Sequence, residues 1–484
     1  MVIRCLALVI VAVAVALALG PSPWVPAARL RLADGRLPNI LLLTVDTLRA
    51  DHLGYVEAGP NDLTPALDAL ASAGTAFSSA STPAPTTRAA TAALLTGAYR
   101  GVHGVRGNGW SLGVRAPVLA EILRRVGYRT AAFYGNRILG ADYGFGRGFD
   151  SYESFADAAG RGTSKDEIGV ARARRWLEAK PSEPWFLWVH LMDPHGPYDS
   201  APEAVRRTVS RTDPRPDRKL RLSKTNTGLG VLPRYQMIPG VQRASAYRWR
   251  YRAEVRSSDA QAGKLLATLD ALGLADETLV VLAADHGEGL GDHDYFFQHG
   301  WFPYEGSVAV PLVFRLPGRI RAQTRLDAPV SLVDVAPTVL GGLGLPIPPT
   351  MQGRDLSGVL SVAAPRAVPP GPVFSASTLP SGMTAVRVGR WKLVHTPEPP
   401  EVPADHPWTP YFEREESFRL YDLRRDPGEV VDRSSEQTER ASRMRRVLER
   451  WEKRHLLRAR LERKEPPAVD ARLREMLRSL GYAE

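Results

Sequence analysis

The chain has 484 residues, 44% hydrophobic and 24% charged, with a formal net charge of +11. That balance excludes a disordered chain, and the length suits one large domain or a large one with a small companion. Its one cysteine, Cys5, lies in an apolar N-terminal stretch, which excludes disulfides and a cysteine nucleophile from everything downstream.

Arg4 precedes the apolar run LALVIVAVAVALAL, which is followed by Gly20 and Pro21. The run is short of the roughly 20 residues of a full span and matches a signal-peptide core, with Val25 and Ala27 as small residues for cleavage. An uncleaved anchor is the alternative. Residues 1–28 are therefore read as a signal peptide or N-terminal membrane anchor. The catalytic part is expected to be exported to the cell envelope, periplasmic, extracellular or membrane-anchored, with possible membrane association through the N-terminus.

From Pro38 onward strand-like and helix-like pieces alternate. NILLLTV (Asn39–Val45) reads as a parallel strand buried on both faces, Leu119–Gly127 as a short helix stopped by glycine, and YRTAAFYG as the next strand. WFLWVHL (Trp185–Leu191) is another strand. Tyr247–Leu272 is a long helix with Val255, Ala262, Leu265, Leu266, Leu269 and Leu272 on one stripe, leading into the strand LVVLAAD. The expected fold is α/β: a doubly wound, mostly parallel sheet flanked by helices, with ligands gathered at the carboxyl ends of the strands. Residues 37–362 form this catalytic domain. After the Pro-rich stretch Ala363–Pro372, residues 372–484 form a small C-terminal subdomain: an antiparallel sheet of PVFSAS, MTAVRVG and WKLVHT, then a charged terminal helix from about Ser434 to Arg463.

Between Glu203 and Arg256, 14 Arg and Lys face 4 Asp and Glu, nearly the whole positive excess. A solvated loop face is the plain explanation; a lid that attracts anionic substrate or lipid head groups is the sharper one. No nucleic-acid-binding signature accompanies the charge, so no nucleic-acid partner is expected.

Two strands end in metal-type ligands. Asp46 follows the first, and a carboxylate at a buried strand end is costly unless it meets a cation; a helix cap or an ion pair with Arg49 or Arg88 is the structural alternative. Asp285 and His286 follow the second, with Gly287 and Gly291 able to wrap a loop around an ion; ordinary loop polarity is the alternative. Together they suggest a metallohydrolase. His190, on an apolar strand, reads as a satisfied core histidine.

The motifs PNILLLTVDTLRADHLGY, TAALLTGAYRGVHGV, VHLMDPHGPY, ADHGEGLGDH, GRWKLVHT and LYDLRRDPGE occur in order from Pro38, and with the terminal LRSLGYAE they resemble the sulfatase family of the alkaline phosphatase superfamily. The resemblance implies one divalent metal ion, Ca²⁺, Mn²⁺ or Zn²⁺, held by Asp46, Asp285, His286 and the nucleophile. That nucleophile falls ten residues before the Gly97 of LLTG, at Thr87, with Thr86 one register step away. It also implies that His195 holds a substrate oxygen or assists the leaving group. His299 stands where many sulfatases have a lysine and takes the role of general acid as an imidazolium. Asn108 donates to a nonbridging oxygen. A second ion would enlist Asp193, His195 and His299.

The departures are chemical. The family's Cys or Ser followed by x-P-x-R becomes Thr87-Arg88-Ala89-Ala90-Thr91, and a threonine cannot be oxidised to an aldehyde because its Cβ already carries a methyl group. GNRILG (Gly135–Gly140) places Asn136 and Ile138 where the family's lysine and histidine grip sulfate; Arg88 and Arg137 are candidates to restore the charge. A formylglycine hydrate releases sulfate by carbon–oxygen cleavage, an exit a threonine ester lacks, whereas a threonine phosphate is hydrolysed by attack at phosphorus. A phosphoester is therefore favoured, in a small-molecule, glycan or lipid substrate. The alternatives are a sulfuric ester hydrolase working without formylglycine, an envelope phosphoryl-group transferase, and a non-catalytic metal-binding envelope protein.

Overall fold

The computed structural model describes residues 30–56, 63–158, 164–223, 227–363, 365–378, 381–398 and 415–457. The N-terminal segment 1–28 and the terminal LRSLGYAE lie outside the described residues.

Among the described residues ten strands make up the sheets of the large domain, the first nine being β1 (Asn39–Val45), β2 (Thr75–Phe77), β3 (Ala80–Ser81), β4 (Arg129–Tyr134), β5 (Ser151–Ser154), β6 (Trp185–Leu191), β7 (Thr278–Ala284), β8 (Leu312–Arg315) and β9 (Thr324–Leu326). Eight form one sheet in the order β5-β4-β6-β1-β7-β8-β2-β9, while β3 pairs with β10 (Val330–Ser331). The first five in that order are parallel, and β8 runs antiparallel between β7 and β2. Every residue of β6, β1 and β7 is buried, as expected of parallel strands covered on both faces. Because the three are neighbours in register, with Thr44 beside both His190 and Ala283, their carboxyl ends open at one place.

Helix α1 (Thr87–Thr96) is buried along its whole length, which its Ala-rich sequence allows. It ends at Gly97 in the left-handed region (φ 60°), where a Cβ would also stand 2.8 Å from Pro337. Helix α2 (Ala244–Ala271) matches the expected long helix within three residues at its start and one at its end. Val255, Ala262, Leu265 and Leu269 are buried as the stripe requires, while Leu266 and Leu272 are only half-buried against the core.

The C-terminal strands β11 (Val373–Ala376), β12 (Thr384–Val388), β13 (Trp391–Thr396) and β14 (Ser417–Asp422) form a separate antiparallel sheet. Helix α3 (Thr438–Glu452) lies on it through Met444, Leu448 and Trp451. It starts later than the expected Ser434, and the described chain continues past Glu452 as one wider turn to Leu457.

Candidate active site

The pocket begins where β1 stops. Thr47 adopts φ 56°, an unusual left-handed conformation for a β-branched residue, and its N–H donates to Asp285 Oδ1 at 3.2 Å. Asp46 Oδ2 accepts from Asn136 Nδ2 at 2.8 Å, so the residue at the family's lysine position orients this carboxylate. Asp46 Oδ1 and Asp285 Oδ2 are buried and have no hydrogen-bond partner among the described residues. His286 Nε2 lies 3.7 Å from the first and 3.5 Å from the second. Gly287 makes this convergence possible, since a Cβ there would sit 2.2 Å from the Gly306 carbonyl oxygen.

Thr87, the first residue of α1, brings its Oγ1 to 3.2 Å from His286 Nε2. His286 Nδ1 is 2.8 Å from the Gly287 carbonyl, which can only accept, so Nδ1 carries the proton and Nε2 keeps its lone pair. The threonine oxygen also sits at the positive end of the helix, where negative charge is favoured. Among the described residues Thr86 Oγ1 is buried without a hydrogen-bond partner, whereas Thr87 Oγ1 meets His286 Nε2.

The core-histidine expectation for His190 does not hold. Its Nδ1 meets Thr44 Oγ1 at 2.8 Å, but Nε2 is buried without a hydrogen bond, 3.4 Å from Asp46 Oδ2. Asp46, His190 and Asp285 each offer one ligand atom within 4.8 Å of the others. The apolar strand concealed this in the sequence: only the register of β6 against β1 brings His190 beside Asp46.

Electrostatics point the same way. Burial pushes the Asp46 carboxyl up, but His190, His195 and His286 outweigh it and hold Asp46 well below the usual carboxylate range. Burial and the Asp46 charge push Asp285 well above it. Two carboxylates at one dry site repel unless a cation lies between them, and the unpartnered oxygens with a nitrogen lone pair are the donor set a divalent ion takes. The residues present therefore fit a metal.

His299 and His195 complete the floor. The ring centre of His299 stands 4.3 Å from His286 and 5.3 Å from His195. Burial lowers His299 to about 4, so it is neutral at pH 7 and must gain a proton before it donates one. Glu288, which sequence reasoning missed, meets His299 Nδ1 at 3.2 Å and accepts from the Tyr198 hydroxyl at 3.0 Å. Burial pushes this carboxyl up to about 7. Asn108 Oδ1 accepts the Arg88 N–H at 3.0 Å, leaving its buried Nδ2 as an unpartnered donor near α1.

Of the two arginines expected to restore charge, Arg137 pairs with Asp157 on the surface. Arg88 is fully buried over the Tyr143 ring (3.6 Å), bonds the carbonyls of Ile138 and Trp110, and has no partner at Nη2. Asp193 does not join the pocket's histidines as a ligand: its carboxylate is taken up by Ser164, Ser257 and the N–H groups of Lys165 and Asp166.

A mostly parallel sheet whose central strands deliver carboxylates and imidazoles to a buried hydroxyl at a helix start defines an α/β ester hydrolase of the metal-dependent type. The chain belongs to the sulfatase family, whose model matches residues 38–345. It is 27% identical to an ulvan-active sulfatase of Formosa agariphila over 77% of this chain and 76% of that protein. It is equally identical to a choline-sulfatase of Rhizobium meliloti, with 82% of each chain covered. Among solved structures, a phosphonate monoester hydrolase of Agrobacterium radiobacter superposes with a TM-score of 0.67 at 23% identity, covering 88% of this chain and 96% of that one.

Proposed function

We propose that this enzyme hydrolyses a phosphate mono- or diester through a covalent Thr87 intermediate. The observation that carries the reading is the Thr87 hydroxyl 3.2 Å from His286 Nε2, beside unpartnered carboxylate oxygens, at a position where no aldehyde can form. Asp46, Asp285, His286 and Thr87 would hold one divalent ion, with His190 within reach of the same carboxylates. Such an ion supplies Lewis-acid stabilisation of the threonine oxygen and of the ester oxygens.

The residues do the rest. Thr87 Oγ forms a bond to phosphorus as the bond from phosphorus to the leaving oxygen breaks. The proton lost from Thr87 ends on that leaving oxygen, and His299, held at Nδ1 by Glu288, is the imidazole that carries it. Water then attacks phosphorus, the Oγ–P bond breaks, Thr87 recovers its proton and the phosphate departs. Asn108 Nδ2, Arg88 Nη2 and the start of α1 are the donors for nonbridging oxygens. With Thr91, Asn136 and Ile138 in place of the family's arginine, lysine and histidine, a singly charged diester suits the site better than a dianionic monoester.

The substrate is an anionic ester on a small molecule, glycan or lipid, and the enzyme acts after export. Among the described residues no helix is long and apolar enough to cross a membrane. The test is kcat/KM on matched nitrophenyl sulfate, phosphate and phosphodiester with Ca²⁺, Mn²⁺ or Zn²⁺, and Thr87→Ala as control. Phosphoester turnover should exceed sulfate turnover by orders of magnitude and vanish in the variant. Dominant sulfate turnover would instead establish a sulfuric ester hydrolase that releases sulfate without formylglycine.

A further inference from the structure

His195 and His299 approach the pocket on two separate loops, and a third segment joins those loops. Residues 228–236, inside the strongly basic stretch, run along residues 294–297, just ahead of His299. The Phe296 N–H donates to the Gly228 carbonyl at 2.8 Å, and the Gly230 N–H to the Asp294 carbonyl at 2.7 Å. The contact closes at the short turn Arg234–Gln236, where Tyr235 OH and Gln236 Nε2 both donate to the Phe297 carbonyl at 2.9 Å.

Phe297 needs that hold. Its φ of 53° lies in the left-handed region, which a bulky residue adopts at a cost and keeps only where its surroundings fix it. Its ring stacks on Tyr247 with centres 4.9 Å apart, and its N–H goes to the Gly289 carbonyl. Gln236 is fully buried, and its amide also lies against Gly196. A Cβ at that glycine would stand 2.0 Å from Nε2, 2.2 Å from Oε1 and 2.3 Å from Cδ. Oε1 has no hydrogen-bond partner among the described residues, so the bonds at Nε2 orient the amide. The Gly196 carbonyl in turn accepts from His195 Nδ1 at 2.9 Å. One amide therefore touches the residue after His195 and bonds the residue two before His299, and the two imidazoles stand 5.3 Å apart at their ring centres.

We propose that Gln236 is a positioning residue for the pocket histidines. Its amide ties the strained Phe297 turn to the Gly196 backbone, and so holds His299 where it passes a proton to the leaving oxygen, with His195 beside it. The inference rests on the reading of His299 as the imidazole that carries that proton. None of Asp46, Thr87, Asp285 or His286 lies on the segments joined, so the link bears on proton transfer rather than on holding an ion. Small displacements of a proton donor are costly in rate, which gives a buried amide outside the pocket its leverage.

The experiment is kcat and KM of the full chain, metal-loaded, on methyl aryl phosphodiesters whose leaving phenols run from dinitrophenol to unsubstituted phenol. It compares the parent, Gln236→Met and His299→Ala. Methionine keeps the bulk of the glutamine and removes its donor. A good leaving group departs without a proton and a poor one does not, so a misplaced acid slows only the poor ones. In Gln236→Met, kcat on the phenyl ester should fall about 10- to 100-fold, the scale for an outer partner of a reactive centre, and on the dinitrophenyl ester by less than about threefold. Metal content and KM should be unchanged. Gly196→Ala, which displaces the amide from the other side, should show the same split. Even slowing across the series, loss of metal, or a Gln236→Met series that matches the parent would overturn the inference and leave the Thr87 reading intact. If His299→Ala slows every ester equally, or Thr87→Ala keeps parental turnover, the underlying reading fails and the inference falls with it.

Discussion

Two buried groups of charges flank residues 305–307, and they are built in opposite ways. In the Thr87 pocket, Asp46 Oδ1, Asp285 Oδ2, His190 Nε2 and Asn108 Nδ2 lack hydrogen-bond partners among the described residues. At the junction with the C-terminal sheet, Lys392 Nζ pairs with Glu305 at 2.7 Å and with Glu429 at 2.8 Å, while Arg387 meets Glu305 at 3.1 Å and Ser79 at 2.7 Å. The Glu305 N–H donates to Glu429 as well. Lys392 and Glu429 are nearly as buried as the Thr87 pocket, with Glu305 and Arg387 slightly exposed, so solvent alone does not make the difference. Unpaired buried charge costs stability and persists where something outside the chain completes it; paired buried charge fixes one element against another. The two are connected, because the backbone of Ser307 and Gly306 receives the N–H groups of Gly287 and Glu288. The ion pairs at the junction thus brace the loop that carries His286.

That contrast is most exposed by Asp285→Asn. Activity should fall by about 10³-fold or more, the scale for losing a charge that stabilises the transition state. The metal-free variant should nevertheless melt higher than the metal-free parent, because the repulsion with Asp46 is gone. Metal content and calorimetry check both halves, and a variant less stable than the parent without metal would mean the pocket is not strained by unpaired charge. Lys392→Met tests the opposite region. It leaves Glu305 with Arg387 alone and takes from Glu429 its Lys392 partner, and should cost about 3 kcal/mol in denaturant unfolding, the scale for breaking a buried pair. Replacing the whole set by apolar residues should restore much of that.

Smaller is Glu288→Gln, which keeps the shape but loses the carboxylate that orients His299. A decrease in kcat of roughly 10- to 100-fold with unchanged metal content is expected, as for other outer partners of a reactive centre. A drop in metal content instead would reassign Glu288 to holding the ion. The smallest effect belongs to His395, bonded to Glu452 at 2.8 Å and Glu416 at 3.1 Å. Burial lowers its proton affinity, but the two glutamates outweigh it and raise the folded-state pKa above the unfolded value. Its contribution is therefore complete below the unfolded pKa and lost as pH rises through the folded one. His395→Gln should lower stability by under about 1 kcal/mol at pH 5.5 and by less at pH 8, read as the difference in Tm between the two proteins.

What the sequence alone determined is local and periodic. Continuous apolar runs marked β1, β6 and β7, an apolar stripe marked α2, and the chain order of six motifs fixed the family and hence the mostly parallel sheet. It also pointed to Asp46, Asp285 and His286 at strand ends, whereas Thr87 came from the resemblance, counted back from the Gly97 of LLTG. Tertiary structure decided what depends on register and approach. His190 belongs to the pocket because β6 lies beside β1, and a strand residue 144 positions from Asp46 carries no sign of that. Glu288 and Tyr198 meet only when their loops fold over one another, and Arg88 rather than Arg137 turns inward because α1 buries every side chain it has. Periodicity reports which face of an element is buried; it does not report which polar atom on that face is left without a partner, and several such atoms gather at the candidate site.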